Sequence, residues 1–266
     1  MHCGLAKFCN CWMGQLWKWL GSENFRSRCK STRSKWKIPI VILSMSSVFR
    51  YRRTTVFFGM HERTEMAKEQ EFQHDVRRTV LLGAYMGAWG MPSSRTVTRR
   101  GEHVVEAYTF PAVDGVPVNR FATVGISGHE MEDGRKADWE LFLALPPDNA
   151  GASDEEVLSF LFDVMAYSIS KVKNFDLGTI IPESPLAPQS WTARALLVDE
   201  PRAEPEFLSE IELGPEVVRL RWIVPIYRDE FEVIRTNGLD AFDKAAETSE
   251  WSPADPRRPS FLGQGT

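Results

Sequence analysis

Apolar residues recur along this chain at two different spacings, and the change from one to the other marks out its elements. Over residues 217–224, Val218, Leu220, Trp222 and Val224 alternate with Arg219, Arg221 and Ile223, the period-two pattern of a strand with one buried face. Pro225 is expected to end that strand. Tyr227, Phe231 and Ile234 then fall at helical spacing, Asn237-Gly238 supplies a left-handed stop, and Leu239, Phe242 and Ala246 begin a second short helix. Upstream, Phe72, Val76, Val80 and Gly83 share one face of a helix expected from Glu62 onward, which Gly87, Gly90 and Pro92 end.

Between these ends, strands are predicted at about 102–110, 119–126 and 138–145 from apolar alternation and β-branched content, with a turn at Asp114-Gly115. Ser153 and Glu156 form a capping box, in which serine caps a free amide and glutamate reaches back. It opens a helix whose stripe of Leu158, Leu161, Phe162, Met165, Ile169 and Val172 must cover a sheet. After a proline-rich loop at 181–188, further strands are expected at 192–198 and 207–213, with Gly214-Pro215 turning into the last one. Strand runs broken by one long helix, with short helices at the ends, predict an α+β single domain built on a mostly antiparallel mixed sheet.

Charge changes this picture at one end. The whole chain of 266 residues carries −4, but residues 1–60 hold 11 Lys or Arg and one acidic residue, which leaves 21 basic and 35 acidic residues, about −14, for residues 61–266. All four cysteines and four of the nine tryptophans also lie in that basic leader, which has no helical or strand periodicity. The expected organisation is a disordered or non-native leader at 1–60, a domain at 61–250 and a disordered tail at 251–266. The leader reads as an upstream extension of the reading frame, with Met60 or Met66 as the start; a basic arm for nucleic acid or a membrane surface is the rival. Without cysteine beyond residue 29 the folded part has no disulfide, which fits a reducing compartment. No apolar run reaches the roughly 18 residues of a membrane span, and the leader lacks signal-peptide order, so a cytoplasmic protein is expected.

The sequence offers little catalytic chemistry. Gly125-Ile126-Ser127-Gly128-His129 approaches a hydrolase nucleophile elbow, but that turn needs Gly-x-Ser-x-Gly, and His129 fills the position of the second glycine. His61-Glu62 and His129-Glu130 lack a second histidine one helical turn on, and the cysteines match no paired zinc spacing, so no metal or cofactor is expected. No glycine-rich phosphate loop follows a strand. What remains is surface: His129, Glu130, Glu132 and Asp133 in the loop after a core strand, and the acidic stretch with Glu204, Glu206, Glu210 and Glu212. Charge of that sign repels nucleic acid and speeds encounter with a basic protein.

Several blocks resemble the suppressor-of-fused (Sufu) domain family, of the bacterial type. Val224-Pro225-Ile226-Tyr227 with Glu230 and Gly238-Leu239-Asp240-Ala241-Phe242 is similar to the closing block of the family. Three earlier blocks follow in the family's order: Ala107-Tyr108-Thr109-Phe110-Pro111, then Phe121-Ala122-Thr123-Val124-Gly125-Ile126-Ser127, then Glu140-Leu141-Phe142-Leu143-Ala144-Leu145-Pro146-Pro147. The loop from Thr179-Ile180-Ile181-Pro182 to Leu186-Ala187-Pro188 resembles another. The chain departs from the family at Gly128, where an Asp commonly follows the Gly-x-Ser strand end. The resemblance implies a non-enzymatic domain that occludes a protein partner, here an immunity protein against a cationic toxin domain. The alternatives are a regulatory adaptor for a transcription factor and a carboxylate-based hydrolase.

Overall fold

A computed structural model describes the backbone of residues 56–263, apart from 101, 102, 114, 132, 133, 173, 174 and 186, and among these the side chains from residue 71 onward except that of residue 100. The leader up to residue 55 lies outside the described residues. In chain order the elements are α1 (Val56–Trp89), β1 (Ser94–Arg100), β2 (His103–Phe110), β3 (Asn119–Val124), β4 (Trp139–Leu145), α2 (Asp154–Lys171), β5 (Ile180–Ile181), β6 (Ala195–Asp199), β7 (Glu210–Leu213), β8 (Glu216–Ile226), α3 (Arg228–Asn237) and α4 (Leu239–Glu247).

The strands form one sheet in the order β1-β2-β3-β4-β8-β6-β5, with β7 added to the near end of β8. Among the described strands only β4 and β8 run parallel. The fold is therefore α+β on a mostly antiparallel sheet, as the strand and helix patterns predict.

Each face of the sheet carries a helix, and period-two alternation decides which residues meet it. Val105, Phe121, Leu141, Leu143, Val198 and Ile223 point to α2, whose Val157, Leu161, Val164 and Met165 complete that core. The Ser153–Glu156 capping box is present and fixes where α2 starts. The opposite face meets the C-terminal half of α1. There Trp89 stacks on Tyr85 and on Phe142, with centroids 5.0 and 5.2 Å apart, and meets Phe110 edge to face.

Four sequence expectations change. The α1 face read as apolar is its solvent side: Phe72 is 64% and Val76 41% exposed, whereas Leu81, Leu82, Tyr85, Met86 and Trp89 are buried. The bulkier set, which includes two aromatic residues, takes the core even though the smaller residues have the cleaner spacing. Pro225 does not end β8, since it pairs with Leu196 of β6. The β4 ladder stops at Trp222, so beyond it one side of β8 needs no backbone donor, which is where a proline is tolerated in a sheet.

Strand β1 was hidden in a polar, largely exposed sequence, and β5 in a segment read as loop. The segment after α4 also packs as far as residue 263 instead of forming a free tail from 251. Arg258 is fully buried in it, and Thr192 and Ala193 donate their backbone N–H groups to the Pro256 carbonyl at 3.2 and 2.9 Å.

Candidate protein-binding site

Two carboxylates are buried on the α1 face of the sheet, one beneath the loop after β3 and one beside α1 and β1. Glu140, in the middle of β4, is fully buried. Its Oε1 accepts from the backbone N–H groups of Gly125 and Ser127, both at 2.9 Å, and from Ser127 Oγ at 2.7 Å. Its Oε2 accepts from Thr123 Oγ1 at 2.7 Å and from the Ile126 N–H at 3.2 Å. The Gly-Ile-Ser strand end is thus a cradle for an internal carboxylate.

The cradle requires its glycine. Gly125 sits at φ +110°, and a Cβ there would come within 2.4 Å of the Val104 carbonyl oxygen. At Gly128, φ +87°, a Cβ would meet the Arg77 guanidinium at 3.0 Å. Arg77 Nη1 in turn donates to Ser127 Oγ at 3.4 Å, and Arg77 also pairs with Glu216. The serine of the apparent elbow is therefore buried and held between Arg77 and Glu140.

The second carboxylate, Glu106 of β2, is 1% exposed and lies against a groove of about 700 Å³ between α1, β1, β2 and the loop after β3. Arg95 donates to it through Nε at 2.7 Å and Nη2 at 2.9 Å, His74 Nε2 lies 3.2 Å away, and Tyr108 donates its hydroxyl. Burial works to raise the Glu106 pKa, but hydrogen bonds from His74, Arg95 and Tyr108 outweigh it and lower the value from an ordinary 4.5 to about 2. Because the folded value is the lower one, this network stabilises the fold fully above about pH 4.5, and the contribution is lost as the pH falls to about 2. Urea midpoints of wild type and Glu106→Gln should therefore differ near neutrality and converge in acid. A gap independent of pH contradicts this.

The residues singled out in the sequence divide among several surroundings. His129 and Glu130 line the groove, where the His129 ring stands 4.2 Å from that of His103. Glu132 and Asp133 lie outside the described residues. Glu204 is turned inward: its carboxylate accepts from Arg120 Nε and from Trp89 Nε1, both at 2.7 Å, so its charge is held by the α1 packing. Glu206, Glu210 and Glu212 are exposed around β7, and Glu210 pairs with Arg219 at 3.2 Å.

Sequence reasoning missed the arginines. Arg77, Arg95 and Arg99 line the groove together with Glu130, and the signal for the last two of these arginines was the alternation of Arg95, Val97 and Arg99 in a segment not read as a strand. Among the described residues no group of three or more His, Cys, Asp or Glu is arranged to hold a metal ion. None of the described helices is long and apolar enough to cross a membrane.

Residues 101–259 match the model of the family described as suppressor of fused protein. The fold is similar to a suppressor-of-fused homologue from Neisseria gonorrhoeae, with a TM-score of 0.56 and 15% identity over 71% of this chain and 98% of that one. It is similar to a protein solved as the Sufu–Fu complex, at TM-score 0.51 and 18% identity over 68% of this chain and 89% of the other. It also resembles Drosophila Suppressor of Fused, at TM-score 0.52 and 18% identity, where the same 68% of this chain spans 50% of the relative. At these identities the structural likeness is one of fold. No curated protein sequence matches the chain.

Proposed function

We propose that this chain, which belongs to the suppressor-of-fused family, works as a non-enzymatic binding domain that occludes a basic protein partner, and that the partner is a cationic toxin domain which the chain neutralises in the cytoplasm. A relative solved in complex with the protein Fu supports protein binding as the mode of action. The observation that carries the reading is a division among carboxylates. Glu140 and Glu106, buried in the sheet, are saturated by hydrogen bonds, whereas Glu206, Glu210 and Glu212 stand at the surface. Exposed charge of one sign steers a partner of the other, chiefly through the association rate. Glu130 and His129, at the rim of a loop fixed from below by Glu140, supply a second contact region.

The test uses the partner that co-purifies with the wild-type chain. Replacing Glu130, Glu206, Glu210 and Glu212 together by glutamine should weaken its binding about tenfold or more at low salt, mainly by slowing association, and should flatten the salt dependence. Unchanged affinity with an unchanged salt slope would remove the electrostatic part of the proposal.

A further inference from the structure

We propose that the outer edge of β1 is a second docking surface, which receives an extended acidic segment of a protein partner as an added strand. This goes beyond the acidic-patch reading, because it concerns the backbone edge of β1 and a partner of opposite sign, although the side chains of β1 share their groove with Glu130. β1 ends the sheet, and among the described residues no strand pairs with its outer side. An unpaired edge presents a row of backbone donors and acceptors that another chain can complete. The other end of the sheet, β5, is two residues long and offers no comparable length.

The side chains of β1 specify what that strand would be. Arg95, Val97 and Arg99 alternate along it and stand on the groove side. Arg95 is fixed by its two bonds to Glu106, Arg99 is exposed with no ion pair among the described residues, and Val97 is 45% exposed between them. Residues paired across neighbouring strands share a face, and opposite charges paired in this way stabilise while like charges repel. An added strand with an acidic residue opposite each arginine and an apolar residue opposite Val97 matches all three positions. Lys136, also lining the groove, adds positive charge of the same sign.

A second copy of this chain does not fit the same edge. Antiparallel self-pairing centred on Val97 would set Arg95 of each copy against Arg99 of the other, two like-charge pairs in a row. Charged edges also serve simply to prevent aggregation. That role alone does not account for an exposed valine between the arginines, which is the position an apolar partner residue would cover.

The probe is a capped heptapeptide, Thr-Glu-Thr-Val-Thr-Glu-Thr, titrated into the isotopically labelled full chain. The expected result is saturable shifts of the amides at residues 94–99 together with slower exchange of those amides. A peptide with lysine in place of both glutamates should bind at least about threefold more weakly, and Arg99→Glu should reverse that order. N-methylation of the glutamate peptide along its pairing edge should abolish binding, because it removes backbone donors and leaves the side chains. The proposal is overturned if the β1 amides do not move at millimolar peptide, or if the N-methylated and parent peptides bind alike. A failure here leaves the acidic-patch test standing, since that test reads the affinity of a basic partner and three of its four positions, Glu206, Glu210 and Glu212, lie around β7, with Glu130 alone in the shared groove.

Discussion

Glu140→Ala should lower the stability of the domain by about 3–5 kcal/mol, the cost of stranding several buried hydrogen-bond donors at once. Three backbone N–H groups and two hydroxyls converge on that carboxylate. Truncation leaves them buried with no acceptor, and each orphaned group forfeits about 1–3 kcal/mol of solvation. Relaxation of the loop and entry of water recover part of that sum, which is why the expected loss is smaller than the total. For a domain of this size the melting temperature should drop by roughly 6–20 °C. Glu140→Gln keeps one acceptor oxygen and places an amide donor against existing donors, so it should fall between wild type and alanine in urea unfolding. Wild-type stability in the alanine variant would mean that the cradle is decoration. The consequence reaches the binding region, because the segment carrying His129 and Glu130 leaves the sheet through this cradle.

Arg258→Met should cost a similar amount, about 3–5 kcal/mol, because it strands the buried charge of Glu230. Both side chains are fully buried, and Arg258 meets Glu230 in a two-pronged pair at 2.6 and 2.9 Å. The guanidinium also lies 3.7 Å from the centroid of the Phe261 ring. Glu230 serves two elements at once: its carboxylate caps α3 by accepting from the Tyr227 N–H and anchors the C-terminal segment by accepting from the Phe261 N–H, both at 2.8 Å. Loss of the arginine should therefore loosen that segment first. Amide exchange at Thr192 and Ala193, whose acceptor is the Pro256 carbonyl, should accelerate before the sheet is affected. Replacing Glu230 by glutamine in the same protein should recover part of the loss, since no unpaired charge then remains. A single variant as stable as wild type would show that the C-terminal segment contributes nothing.

Elements that rest on local chemistry were legible in the sequence. The capping box announced α2, and alternation placed β2, β3, β4 and β8 close to their observed bounds. What escaped depended on partners distant in sequence. β1 is polar and largely exposed, so it owes its strand conformation to pairing with β2, which local periodicity does not report. The C-terminal segment reads as a polar, proline-rich tail, and partners distant in sequence, above all Glu230, 28 residues away from Arg258, turn it into part of the core. Phe72, Val76 and Val80 misled because helical spacing shows that a face exists without showing that anything covers it.

The same limit held at the site. Glu106 and Glu140 sit within apolar strand runs, a signal of inward carboxylates once both sheet faces are known to be covered. Gly125-Ile126-Ser127 could be recognised as a strand end that is not an elbow, but its role as a carboxylate cradle needed Glu140 in place. The acidic stretch looked uniform in sequence, yet the fold turns Glu204 toward Arg120 and leaves Glu206 and Glu212 outside.

The central claim is that this domain acts by occupying another protein and not by changing it. The most direct measurement titrates the purified chain into its co-purifying partner, following complex formation by calorimetry and the mass of both proteins before and after. Saturation at a fixed stoichiometric ratio, with partner activity lost in proportion and both masses unchanged, is the predicted result. Modification or cleavage of the partner by a small fraction of an equivalent of the chain would contradict it.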